Sequence, residues 1–146
     1  MLIRAEGTFV DKLAPMPSTT EMIVIAVVVL VNIPLAAPLV WVGWNRMTGP
    51  FPPRPRGANG VRREFQSIAI DIFSYGYCVH LTADEECLHV EPVLLLRSLG
   101  VKETASILWN AMTIKAAGRW SLKVRADKID LQLPVWCRPL IATSGA

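Results

Sequence analysis

Residues 120–134 read Trp-Ser-Leu-Lys-Val-Arg-Ala-Asp-Lys-Ile-Asp-Leu-Gln-Leu-Pro. Apolar and polar side chains alternate on both sides of Asp127-Lys128, the period of a half-buried strand. A two-residue turn at Asp127-Lys128 pairs Val124 with Leu131 and Leu122 with Leu133 on one face. The same register sets Arg125 opposite Asp130 and Lys123 opposite Gln132 on the other. One register satisfies both faces, and a slip by one residue would turn every apolar side chain outward.

Working back from this hairpin, the period of two recurs. Ile68, Ile70 and Ile72 alternate with smaller or polar residues, and Phe73 to Gly76 reads as a turn. Tyr77, Val79 and Leu81 alternate with Cys78, His80 and Thr82, and Leu88 and Val90 with Cys87, His89 and Glu91. Val93 to Leu99, Ile107 to Trp109 and Met112 to Lys115 read as further strands. No long helical stripe occurs after Glu64. About seven short strands in so short a stretch predict a small antiparallel barrel or sandwich.

Before the strands, residues 48–63 are rich in proline and arginine, with extended backbone through Pro50, Pro52, Pro53 and Pro55 and a Gly-Ala-Asn-Gly end. The basic balance of the chain sits here. Residues 45–63 carry +5, whereas residues 1–21 and 64–146 each carry −1, so the net +3 marks no nucleic-acid-binding face. Further back, residues 22–44 form an uncharged apolar run, about 35 Å long as a helix. Ser18-Thr19-Thr20-Glu21 opens it with a capping box. Five arginines follow the run and two basic residues precede it. The expectation is a single-pass inner-membrane helix with the N-terminus outside and the C-terminal domain cytoplasmic.

The predicted organisation is therefore a polar tail over 1–20, a transmembrane helix over 21–47, a linker over 48–63 and a cytoplasmic β-domain over 64–146. Trp41, Trp44, Arg46, Arg54, Arg56, Arg62 and Arg63 are the expected membrane-interface residues. Asn32, Pro34, Ala36, Ala37 and Pro38 break the lipid-facing pattern, and are expected to pack against partner helices.

Two runs carry a family likeness: Leu81-Thr82-Ala83-Asp84-Glu85-Glu86-Cys87-Leu88-His89-Val90 and Ile107-Leu108-Trp109-Asn110-Ala111-Met112. With the strands that follow, residues 64–140 resemble bacterial PH-like and GRAM-like domains. The resemblance implies a binding or assembly module without catalytic machinery.

Cys78-x-His80 and Cys87-x-His89 offer four candidate metal ligands. A turn centred on Asp84-Glu85 would pair His80 with His89 and separate Cys78 from Cys87 by roughly 13 Å at ~3.3 Å per residue, too far for one ion. That reading leaves no metal site and places a His80–His89 pair on an outer sheet face. The three cysteines are expected to be reduced and unbridged. No nucleophile elbow and no glycine-rich phosphate loop is present. The sequence thus predicts a non-catalytic accessory subunit of a larger membrane complex, without cofactor and without nucleic acid, whose partners are lipids and other subunits. The alternative is a tethered PH-like module for anionic headgroups or a peptide.

Overall fold

The computed structural model describes residues 18–144, apart from the side chains of Val29, Asn32, Ile33, Pro34 and Ser144. The expectations resting on residues 1–17 lie outside the described residues. Two compact units meet in sequence between Leu35 and Ala36. Helix α1, Thr19–Thr48, contributes to both.

In the first unit the capping box forms as the sequence predicts. The Ser18 amide donates to Glu21 Oε2 at 2.6 Å, and the Glu21 amide to Ser18 Oγ at 3.3 Å. These bonds satisfy two of the amides that a helix start leaves open, and they hold the Glu21 carboxyl below its ordinary range.

The second unit is a small half-barrel built on one antiparallel sheet of seven strands. The strands are β1 (Val61–Ile70), β2 (Phe73–Ala83), β3 (Cys87–Pro92), β4 (Ala105–Leu108), β5 (Met112–Ala117), β6 (Ser121–Ala126) and β7 (Ile129–Pro134). Their order is β4-β3-β2-β1-β7-β6-β5, so the sheet ends at β4 and β5 and makes neither a closed barrel nor two stacked sheets. β7 meets β1 through only two pairs, Ala69 with Gln132 and Ile70 with Leu131. Short helices α2 (Leu94–Ser98) and α3 (Arg138–Ser144) complete the unit.

The β6–β7 register is the one the alternation requires, with Val124 on Leu131, Leu122 on Leu133 and Arg125 on Asp130. Other readings shift. Val93 to Leu99, expected as a strand, contains α2, because consecutive Leu94, Leu95 and Leu96 carry no alternation to hold them in a sheet. The β2–β3 hairpin pairs Thr82 with His89 and His80 with Glu91, so the expected His80–His89 pair does not exist. The turn is centred one residue later than expected, on Glu85-Glu86: the Asp84 amide donates to Cys87 O, and Asp84 Oδ1 accepts from the Glu86 and Cys87 amides. An aspartate that folds back on its own turn in this way sets where pairing resumes.

The C-terminal turns of α1 belong to the core of this unit. Trp44, Met47 and Phe51 are buried with Ile70, Tyr75, Leu81 and Leu133. Tyr75 meets Trp44 edge-on at 5.6 Å and donates its hydroxyl to Val40 O, while Trp44 Nε1 donates to Glu103 O. Among the described residues, no helix is long and apolar enough to cross a membrane. This overturns the expected single transmembrane helix joined to a PH-like barrel or sandwich, and with it the single-pass inner-membrane placement. Hydropathy places the apolar run wholly in lipid, whereas its last turns are taken up by the β-core. Trp44, expected in an interfacial belt, is 1% exposed.

Candidate functional site

β3 is buried on both faces, including Cys87, His89 and Glu91, whose alternation with Leu88 and Val90 predicts a solvated outer face. The cover is the proline-rich segment. Phe51 O accepts from the Ser106 amide on β4, the Arg54 amide donates to Ser106 Oγ at 2.9 Å, and the Gly57 amide donates to Asp84 Oδ2 at 2.9 Å. The expected linker is thus a strap bonded over β3 and β4, and β1 already begins at Val61. Prolines suit this role: extended backbone lies flat, and it has few amides left to satisfy.

Beneath the strap, Thr82, His89 and Ser106 are neighbours across β2, β3 and β4. His89 Nδ1 is 2.8 Å from Ser106 Oγ, and its Nε2 is 2.7 Å from Asp84 Oδ2. Burial alone would raise the Asp84 carboxyl. Hydrogen bonds from the Gly57 amide, His89, and the Cys87 and Glu86 amides outweigh it, and hold the group well below the usual carboxylate range. Trp109 closes the turn from the other side, its Nε1 donating to Asp84 O. Burial, the Asp84 charge and Glu86 push the Cys87 thiol up, against a smaller opposing effect of Arg54. Glu91, 2% exposed, holds Arg56 and Arg62, the latter at 3.0 Å.

Asp84, His89 and Ser106 therefore stand in the relation of an acid, base and nucleophile, which the sequence reading missed because Ser106 lies in a different hairpin. Ser106 is 2% exposed, and its Oγ already accepts the Arg54 amide. In this arrangement the serine is buried and anchors the strap. The other chemical capacity of the cluster is cation binding. Among the described residues, Asp84, Cys87 and His89 each bring a ligand atom within 4.8 Å of the others. Cys78, which lies opposite Val93, is not part of this group.

The expected interface arginines are mostly engaged within the chain. Arg46 lies 3.4 Å from Asp71, Arg56 and Arg62 hold Glu91, and Arg63 covers the Trp136 ring at 4.7 Å. Arg54 joins Arg56 along a cleft of about 350 Å³ beside Asp84 and Cys87. Trp41, Ala36 and Pro38 are exposed and Ala37 is half-buried, while the side chains of Asn32 and Pro34 lie outside the described residues. A second concavity, of about 310 Å³, lies among Phe65, Tyr77 and Trp120, all exposed. Phe65 and Tyr77 have φ of 50° and 54°, left-handed backbone that bulky residues seldom adopt.

Comparison with known proteins finds no matching family model, no matching curated protein and no matching solved structure. The PH-like and GRAM-like resemblance is therefore without a supporting family match.

Proposed function

We propose that this chain is a non-catalytic accessory subunit of a larger protein assembly, with α1 as the element that docks on partner helices. One observation carries the reading. Between Met22 and Val42, the described large apolar side chains of α1 other than half-buried Val40 are more than 45% exposed, among them Leu30, Leu35 and Leu39 at 60–70%. No charged residue interrupts the helix between Glu21 and Arg46. A helix apolar on all sides calls for cover, and each Leu or Ile buried by a partner contributes about 1.5–3 kcal/mol. The strapped β-unit supports the same reading, because in the acid-base-nucleophile cluster beneath the strap the His89 and Ser106 side chains are buried.

The test uses the tagged full chain expressed in its own cell and purified under mild extraction, with native mass measurement of the product. A stoichiometric complex with a second protein is the expected result. Replacing residues 22–39 with a plain leucine-alanine helix keeps Val40, Gly43, Trp44 and Met47 for the core but should abolish the complex. Ala37→Leu should weaken it, since close helix approach needs small side chains. A complex that survives the leucine-alanine replacement would refute the reading.

A further inference from the structure

We propose that the β2–β3 turn is a zinc-binding site in which Asp84 Oδ2, Cys87 Sγ and His89 Nε2 are the protein ligands and a fourth position opens on the cleft beside Arg54 to Gly57. The ligand set is the first argument. A carboxylate, a thiol and an imidazole within 4.8 Å of one another form the mixed oxygen, sulfur and nitrogen set that suits zinc, a borderline-soft ion, better than magnesium or calcium.

Orientation is the second argument. Asp84 Oδ1 is occupied by the amides of Glu86 and Cys87, at 2.9 and 2.7 Å, which turns Oδ2 toward His89. His89 Nδ1 is held by Ser106 Oγ, the outer contact that metal-bound imidazoles characteristically make, and this leaves Nε2 facing Asp84. Ser106 Oγ accepts the Arg54 amide and has a second lone pair for an Nδ1–H donor. On binding, the imidazole proton would sit on Nδ1 and bond to Ser106, while the Cys87 thiol would lose its proton to solvent.

Distance is the third. Nε2 and Oδ2 now lie 2.7 Å apart. Two such atoms on one tetrahedral zinc stand about 3.3 Å apart, given bonds of 2.0–2.1 Å. A separation of about 0.6 Å admits the ion in place of the shared proton, within the play of one side-chain rotation. Thiolate and carboxylate together balance the two charges of zinc, so the bound site is neutral and Arg54 at the cleft does not oppose it.

Cobalt titrated into the metal-stripped full chain tests the site. One cobalt per chain is expected, with sulfur-to-cobalt charge-transfer absorption and the visible bands of tetrahedral geometry, all removed by excess zinc. Cys87→Ser should abolish the charge-transfer band, whereas Cys78→Ser and Cys137→Ser should leave it unchanged. Ser106→Ala, which keeps all three ligands, should weaken binding about 10–100-fold. Where Cys87→Ser does not fold, X-ray absorption at the zinc edge of the unaltered chain decides. One sulfur near ~2.3 Å with nitrogen and oxygen at about 2.0–2.1 Å supports the site. Failure to take up one metal per chain, a first shell without sulfur, or a charge-transfer band that persists in Cys87→Ser would each overturn it.

Discussion

At the scale of single residues, Gly43 shows how closely α1 sits on the sheet. A Cβ there would fall 2.7 and 2.8 Å from the Phe73 ring and against the Tyr75 hydroxyl. Gly43→Ala should therefore destabilise the β-unit by about 1–3 kcal/mol, read as a lowered denaturation midpoint, although alanine favours helices elsewhere. Burial pushes the Tyr75 hydroxyl up to about 12 and, opposed slightly by Arg63, the Cys137 thiol up to about 12. Both groups keep their protons in the folded state at a pH where the unfolded chain has lost them. Their contribution is complete below the unfolded values, near 9 for the thiol and 10 for the phenol, and is lost as pH rises toward 12. Denaturant midpoints measured from pH 8 upward should fall across that window, and flat midpoints would show that neither group is buried as described.

At the scale of elements, the strap is the decisive feature. It brings an amide to Ser106 and another to Asp84, and its Arg56 pairs with buried Glu91. Arg54→Pro deletes the amide donated to Ser106, while Arg54→Ala removes only the side chain. The proline variant should lie about 1–3 kcal/mol below the alanine variant in unfolding free energy, the cost of leaving a buried acceptor without its donor. Equal stabilities would mean that the strap is not bonded at this point. The strap also explains why Cys87, His89 and Glu91 are buried. Their alternation with leucine and valine is that of a strand with one wet face, and residues 51–57 fill the place of water on that face. Period alone reports that two faces differ in chemistry, and says nothing about what covers either.

At the scale of the whole molecule, α1 divides its loyalty. Residues from Ala36 onward form one unit with the strands, and Trp44 and Met47 are almost fully buried within it. A fragment of residues 36–146 should keep a cooperative unfolding transition and a rigid-aromatic near-ultraviolet circular dichroism signal. A fragment beginning at residue 50 loses both side chains, about 3–5 and 2–5 kcal/mol by analogy with truncation to alanine. That loss is comparable with the whole stability of a small domain, about 5–15 kcal/mol. The shorter fragment should lose the aromatic signal and expose apolar surface to a hydrophobic dye, and a native spectrum from it would place the helix outside the core.

The sequence by itself determined what rests on neighbours. The β6–β7 register followed from one turn and two alternating faces, and the Ser18–Glu21 cap from a spacing of three. Local hydrogen bonds and a period of two are complete within a dozen residues, so reading along the chain suffices for them. Only the tertiary structure decided the rest. It placed Trp44 in the β-core instead of an interfacial belt, bonded Arg54 and Gly57 over β3 and β4, and brought Ser106 of β4 against Asp84 and His89 of the β2–β3 hairpin. Hydropathy measures how strongly a side chain leaves water but not what receives it, and a hydrogen bond between residues fifty apart leaves no trace in their spacing.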